Sequence, residues 1–348
     1  MERKVRWGVV GSGGIARRRT IPEGILPSRN GELAAVYGTN QKTNAEVAAQ
    51  FQARACGSLD ELLKSEIDAV YIASPVKPHL EQVLACARAR KNVLCEKPMG
   101  RTVLEVEEMV AACRGAGVHL GVAFMMRFHS QHQAALEIIR SGRLGKPVFG
   151  RAQLSCWYPP SPGAFRQDPE LGGGGALVDL GSHCIDLLEM FFGPVIRLSC
   201  FINHTIHDYA SEDSAVTMLS FANGALAAVD TFFCIQDDSS KNVLELYGSR
   251  GSILATGTIG QGSQGQMLAY FQDDSGNYEA GQTRVAARGS TIAPHPVNTY
   301  RAEIEAFGDT ILEGKPNLLS AESGLRNQRI MAACYESARS GRAVEIKP

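Results

Sequence analysis

The first third of the chain alternates short apolar runs with segments of helical pattern. The apolar runs predict five buried strands, at residues 5–10, 32–37, 69–73, 92–95 and 119–124. Two of the segments between them begin with a capping box, in which Ser58 precedes Glu61 and Thr102 precedes Glu105. Strands that alternate with helices favour a parallel sheet with right-handed crossovers. We therefore expect an α/β, doubly wound Rossmann domain over residues 1–124.

After about residue 125 the pattern changes to longer segments of β type. Strands are predicted at residues 148–158, 195–207, 214–222, 224–233, 243–247 and 267–272, and helices at 130–141, 299–314 and 320–341. Ala222-Asn-Gly224 has the form of a hairpin turn. Strands joined by turns favour antiparallel pairing, so we expect residues 125–348 to form an α+β domain with a large, mostly antiparallel open sheet.

Composition excludes several classes of partner. The 348 residues carry 35 basic and 36 acidic side chains, so no basic excess indicates nucleic acid or a membrane surface. No apolar run is long enough to span a bilayer, and the amino terminus lacks the pattern of a signal peptide.

The nine scattered cysteines favour reduced thiols and a cytoplasmic location. Cys184 with His183, His204 and His207 matches no zinc spacing, so we expect no metal.

A glycine loop follows the first predicted strand directly. Gly11-Ser-Gly-Gly-Ile-Ala16 has the GxGxxA spacing that lets backbone approach a pyrophosphate at the start of a helix, which predicts an NAD(P) site. The second strand ends in Tyr37-Gly-Thr-Asn-Gln-Lys42, without the acid that usually binds the ribose of NAD. Thr39 and Asn40 could bind a 2′-phosphate and Lys42 could balance its charge. This favours NADP and leaves NAD open.

Three further stretches carry candidate chemistry. Ala73-Ser-Pro-Val-Lys-Pro-His79 and Leu94-Cys-Glu-Lys-Pro-Met99 end two predicted parallel strands, where doubly wound folds bind ligands. The third, LGGGGALVDLGSHCIDLL at residues 171–188, places Asp179 and His183 four positions apart after four glycines. On a helix this spacing puts both side chains on one face, so the carboxylate can orient the imidazole.

Together with the glycine loop, these motifs resemble the Gfo/Idh/MocA oxidoreductase family in order along nearly the whole chain. The resemblance implies that Lys97 lies near the nicotinamide and the reacting hydroxyl, and that Asp179 and His183 face the substrate between two domains. It also implies sugars or cyclic polyols as substrates, and a homodimer or homotetramer formed through the second sheet. The expected cofactor contacts are Gly11, Ser12, Gly13, Gly14, Ile15, Gly38, Thr39, Asn40, Lys42, Ser74, Pro75, His79, Glu96 and Lys97.

The expected reaction moves a hydride between the nicotinamide and a secondary hydroxyl or ketone. His183 would exchange the proton as the hydride moves, and Lys97 would stabilise the developing alkoxide. Candidate substrate contacts are Arg127, Trp157, Arg166, His295 and Tyr300. One alternative is an enzyme that retains NAD(P) and uses transient oxidation for glycoside cleavage or hydride exchange between sugars. The other is a non-catalytic dinucleotide sensor, which the presence of Lys97, Asp179 and His183 disfavours.

Overall fold

The expected parallel sheet is present in the computed structural model, which describes residues 3–272 and 288–347. Its six strands run in the order β3-β2-β1-β4-β5-β6, all parallel. They are β1 Val5–Val10, β2 Gly31–Tyr37, β3 Arg54–Cys56, β4 Ala69–Ile72, β5 Asn92–Glu96 and β6 Leu120–Ala123. This strand order confirms the doubly wound prediction. The short edge strand β3 carries too few residues for a periodic pattern and escaped prediction.

Helices connect these strands, and two of the helices begin at the predicted caps. They are α1 Gln41–Gln50, α2 Leu59–Leu63, α3 His79–Arg88 and α4 Val103–Ala116. The side chain of Ser58 accepts from the amide of Glu61, and that of Thr102 accepts from Glu105. The segment after the glycine loop, Ala16–Ile25, is a π-helix with Pro22 inside it. Proline has no amide to donate, which is compatible with a locally widened helix.

The second sheet has nine strands in the order β14-β13-β12-β11-β7-β10-β9-β8-β15. They are β7 Pro147–Ser155, β8 Val195–Asn203, β9 Ser214–Phe221, β10 Leu226–Phe232, β11 Val243–Gly248, β12 Gly251–Thr256, β13 Gln266–Phe271, β14 Ser290–Thr291 and β15 Val344–Glu345. Among the described strands of this second sheet only β7 and β10 pair in parallel, so the sheet is mostly antiparallel as expected. The strand predictions do not include β12 or the two-residue strands β14 and β15.

One face of this sheet is covered by helices. The second half of the described chain contains α5 Ser130–Arg140, α6 Pro169–Gly172, α7 Ser182–Phe192, α8 Thr299–Glu313 and α9 Ala321–Ser340, with a π-helical turn at Leu177–Gly181 and 3-10 turns at Met125–Phe128, Phe165–Gln167 and Asp237–Ser239. Helix α7 is apolar on nearly every side because it lies between β7 and α9. His183 therefore extends from a helix that is packed on both sides.

The two sheets have separate apolar cores, and the chain does not divide between them at a single point. The first core holds β1, β4 and β5 with buried Trp7, and it also takes in Ile304, Phe307 and Leu319 from the end of the chain. Helix α8 packs on the π-helical segment that follows the glycine loop. Strand β6 ends at Ala123, next to the boundary predicted at residue 124, while Ile304 and Phe307 of α8 pack in the first core. In the described part of the chain, no helix combines the length and apolar character that crossing a bilayer requires.

Candidate active site

A cavity of about 830 Å³ lies between the carboxyl ends of the parallel strands and the second sheet. Its size is in the range of sites that enclose cofactors and small substrates. The cavity is lined by most of the residues expected to contact the cofactor, namely Gly11, Ser12, Gly13, Gly14, Ile15, Gly38, Thr39, Asn40, Ser74, Pro75, His79, Glu96 and Lys97. Asp179 and His183 line the same cavity from the other side. The structure thus brings the glycine loop and the three catalytic candidates to one space.

The glycine loop fits a dinucleotide. Gly11 has φ +83°, and a Cβ there would come within 2.4 Å of the Ser74 amide nitrogen, so glycine is required where β1 and β4 end side by side. In contrast, a Cβ on Gly13 would meet nothing closer than 3.9 Å, and one on Gly14 would meet nothing within 4 Å. The loop backbone therefore faces open space that a pyrophosphate can approach.

The residues that follow β2 were expected to contact the cofactor's ribose or 2′-phosphate, and only some of them line the cavity. Asn40 accepts a hydrogen bond from the Thr43 amide at 3.0 Å and so caps α1, although it also lines the cavity. Lys42 is exposed on the first turn of α1 and is not among the lining residues, which corrects its expected position. Arg18 lines the cavity instead. The run Arg17-Arg18-Arg19 directly after the glycine loop is a sequence feature that could have indicated a cationic contact to the cofactor.

Lys97 and Arg166 bind the same carboxylate. Lys97 Nζ donates to Asp179 Oδ1 at 2.7 Å and to the Asp179 main-chain oxygen at 2.6 Å, and Arg166 Nε lies 2.8 Å from the same Oδ1. Burial by itself would raise the pKa of Asp179, but the two cations hold it well below its ordinary value. Asp179 in turn raises the pKa of Arg166. The site therefore holds two cations against one ionised carboxylate.

His183 is held as a neutral base. Burial lowers the pKa of His183 well below its ordinary value, and the Lys97 charge lowers it further. Its Nδ1 is buried without a hydrogen-bond partner among the described residues. This corrects the expectation that Asp179 orients the imidazole. Asp179 lies in the π-helical turn just before α7, where the register differs from that of an α-helix, and its carboxylate bonds the two cations.

The candidate substrate contacts separate into two groups. Arg166 and Tyr300 line the cavity, whereas Arg127, Trp157 and His295 are absent from its lining. Arg127 is turned towards Asp186, with Nε 2.9 Å from Oδ2, and therefore serves the packing of α7. The Trp157 ring lies against His207 with centroids 4.9 Å apart, and His295 is exposed. The neighbouring Tyr158 lines the cavity instead of Trp157.

Other lining residues gave no sequence signal. Cys156, Asp237, Asn242 and Gln261 border the end of the cavity nearest the second sheet. Burial raises the pKa of Cys156 to about 12, so this thiol stays protonated. These residues come from separate loops and strand ends, and only the tertiary fold brings them together.

Two acids lie near each other at this side of the cavity, the half-buried Glu96, which precedes Lys97, and Glu303 on α8. Glu96 accepts from the Tyr71 hydroxyl at 2.7 Å, while Glu303 on α8 is fully buried and both of its carboxylate oxygens lack a partner in the described chain. Burial, and then the charge of Glu96, raises the pKa of Glu303 well above its ordinary value. Over the described ranges, no cluster of three His, Cys, Asp or Glu side chains is arranged to hold a metal ion.

Comparison with known families assigns both halves of the chain. Residues 5–124 match the oxidoreductase family with an NAD-binding Rossmann fold, and residues 132–254 match the GFO/IDH/MocA C-terminal domain. The chain is 28% identical to 1,5-anhydro-D-fructose reductase of Ensifer adhaerens over 98% of each protein. It is 33% identical to the mouse trans-1,2-dihydrobenzene-1,2-diol dehydrogenase over 71% of this chain and 73% of that enzyme.

A solved structure has the same fold over the full length. The aldose-aldose oxidoreductase from Caulobacter crescentus, crystallised with glycerol, superposes with a TM-score of 0.87 over 99% of this chain and all of that one. At 24% identity the likeness establishes the architecture and nothing about the substrate.

Proposed function

Because this chain belongs to the Gfo/Idh/MocA family of NAD-binding oxidoreductases, we propose that it interconverts a secondary hydroxyl and a ketone on a sugar or cyclic polyol. The observation that carries the proposal is the shared cavity, which joins the glycine loop to Lys97, Asp179 and His183. The names of its relatives, a sugar reductase and a diol dehydrogenase, support substrates with adjacent oxygen functions.

The side chains of the cavity can exchange the proton, stabilise the charge that develops on oxygen and bind a neighbouring oxygen of the substrate. A nicotinamide dinucleotide, which the glycine loop at residues 11–14 would hold, would supply the hydride acceptor or donor. His183, neutral and buried, can take the hydroxyl proton during oxidation and return it during reduction. Lys97, which Asp179 holds at the cavity wall, can stabilise the oxygen as its negative charge develops. Arg166 shares Asp179 and can donate to a neighbouring oxygen of the substrate.

The direct test is turnover of a panel of sugars, inositols and keto sugars with added NAD or NADP. Change in the absorbance of the reduced nicotinamide, in proportion to product, supports the proposal. Product without net change in the cofactor would instead support a retained cofactor that is oxidised and reduced within one cycle. Cofactor binding without turnover of any substrate in the panel would contradict an enzymatic role.

For the cofactor we propose a preference for NADP. No carboxylate follows β2 at the position expected for NAD, and Arg18 is exposed at the cavity without an ion pair to any described residue. A charge-assisted bond from Arg18 to a 2′-phosphate is worth about 1.5–3 kcal/mol, so Arg18→Ala should raise the KM for NADP about 10- to 100-fold and leave that for NAD nearly unchanged. Arg17→Ala is the matched control, because Arg17 pairs with Glu46 at 3.3 Å.

Residues 125–348 serve, in this proposal, to bind the substrate and to form a homodimer or homotetramer through the open face of the second sheet. That face carries exposed apolar side chains, including Phe201, Val216 and Met218. The nine free cysteines support the cytoplasm as the proposed location, since disulfides are rare in that compartment.

A further inference from the structure

The carboxylate of Glu212 binds the start of the helix that bears the catalytic candidates. Glu212 lies in the loop before β9 and is only 4% exposed. Its Oε1 accepts from the amides of Gly175 at 2.9 Å and Leu177 at 3.0 Å. Its main-chain oxygen accepts from the amide between them, that of Ala176, at 3.0 Å. One residue thus satisfies three successive amides.

These amides come immediately before Asp179 and His183 in the helical segment. The first amides of a helix have no partners within the helix, so an outside acceptor fixes where the helix begins. A carboxylate is a strong acceptor for this purpose, and its charge is favourable at a helix amino terminus. Gly175 then continues the helical pattern, because its own carbonyl accepts from the Asp179 amide at 2.9 Å.

Two residues of the glycine stretch, Gly174 and Gly175, lie too close to Glu212 and Tyr335 to carry a side chain. A Cβ on Gly175 would come within 2.0 Å of the Glu212 main-chain oxygen, and one on Gly174 within 1.9 Å of the Tyr335 hydroxyl oxygen. Tyr335 on α9 donates to Glu212 Oε1 at 2.9 Å and so holds the carboxylate in place. The glycines are therefore required where the loop closes on Glu212 and Tyr335.

We propose that Glu212 is a positioning residue of the active site, which sets the placement of Asp179 and His183 relative to Lys97. The inference rests on the proposed function. Lys97 Nζ bonds the main-chain oxygen of Asp179 as well as its carboxylate, so a shift of this backbone moves the lysine's partner directly. Reacting groups displaced by about 1 Å can lose about 100-fold in rate.

The test compares Glu212→Ala with Glu212→Gln on a substrate that the wild-type enzyme turns over. The alanine variant should lower kcat about 10- to 100-fold, with the dissociation constant for NAD(P)H unchanged because the glycine loop is untouched. Glutamine keeps an oxygen that can accept from both amides and should restore most of the rate. Glu212→Asp, which withdraws the oxygen by one methylene, should behave like alanine and replaces it if the alanine variant does not fold.

Glu189→Ala is the control for general loss of stability. Glu189 sits at the opposite end of α7, where it accepts from the Val195 amide at 2.9 Å and from Arg326 Nε at 2.8 Å. Removing it should lower the melting temperature and leave kcat within about twofold of wild type, since the anchored end of the helix is intact.

Amide hydrogen exchange gives a readout that needs no turnover. In Glu212→Ala the amides of Gly175 and Leu177, which lose the carboxylate oxygen, should exchange faster than in wild type, whereas those of the glycine loop at residues 11–14 should not change. Unchanged exchange at Gly175 and Leu177, or faster exchange with wild-type kcat, would overturn the proposal. If wild-type protein turns over no sugar, the proposed function fails, and the exchange rates still decide whether Glu212 anchors this helix.

Discussion

At the scale of single residues, the positive charge of Lys97 is the feature on which the proposed chemistry depends most. Lys97→Met should lower kcat about 100- to 1,000-fold, the loss expected when one group that stabilises a developing oxyanion is removed. The dissociation constant for NAD(P)H, measured by nicotinamide fluorescence, should change little. Lys64→Met, at an exposed position after α2, is the matched control. A Lys97→Met enzyme with wild-type kcat would remove Lys97 from the mechanism.

Glu303 should make stability depend on pH in a defined direction. Because burial raises its pKa in the folded protein, the folded state keeps a proton that the unfolded state releases above about pH 4.3. Stability from this group is fully present below that pH and falls by about 1.4 kcal/mol per pH unit above it, until the folded-state pKa is reached.

Glu303→Gln tests this, because glutamine has nearly the same shape and never ionises. Urea unfolding at several pH values should show the variant gaining stability over wild type as pH rises from 5 to 8, with little difference at the acid end. Glu108→Gln, an exposed acid on α4, should show no such trend. A constant difference between Glu303→Gln and wild type would mean that Glu303 ionises normally.

At the scale of elements, the glycine stretch before α7 makes a sharp steric prediction. Gly175→Ala would force its Cβ against the Glu212 carbonyl, which is backbone and cannot rotate away. We expect a loss of about 1–3 kcal/mol in the free energy of unfolding, together with a lower kcat. Gly115→Ala in α4 is the control, since nothing lies within 4 Å of its Cβ position and alanine favours a helix by about 1 kcal/mol. Equal stability of the two variants would contradict the close approach.

Local patterns were sufficient to predict most elements and the core of the site. The strand that leads into Gly11, the capping boxes and the alternation in the second half depend on neighbouring residues, and the structure has them. The partner of Asp179 could not be predicted in this way. The i,i+4 spacing favours His183, but Lys97 reaches the carboxylate across 82 residues and Arg166 reaches it from the preceding 3-10 turn. Two cations bind the carboxylate more strongly than a neutral ring.

The same limit explains the other corrections. The sequence predicts a substrate contact for Arg127, but in the structure its guanidinium binds the carboxylate of Asp186, which lies 59 residues further along the chain. Glu212 and Glu303 carry no recognisable motif, because their importance arises from burial and from partners on other elements. Sequence motifs thus identify the groups expected to react, whereas their buried partners from other elements become visible only in three dimensions.

At the scale of the whole molecule, the second sheet leaves one face without cover from the described chain. Phe201 on β8 is 76% exposed and is paired across the sheet with Val216 on β9, and Met218 follows on the same face at 46% exposure. Apolar groups aligned on neighbouring strands form a continuous patch, which soluble proteins usually bury against a partner. A second copy of the chain, related by a two-fold axis, would bring the same residues together from both subunits.

Met218→Lys tests this assembly. In a two-fold interface the substitution places lysines from both copies near one another and away from water, so association should weaken by at least about tenfold in dissociation constant. Analytical ultracentrifugation at micromolar concentration should find the wild type as a dimer or tetramer and the variant shifted towards monomer. Leu104→Lys, at a 76% exposed position on α4, is the matched control and should leave the assembly intact. A monomeric wild type, or dissociation by Leu104→Lys alone, would show that the sheet face is not the interface.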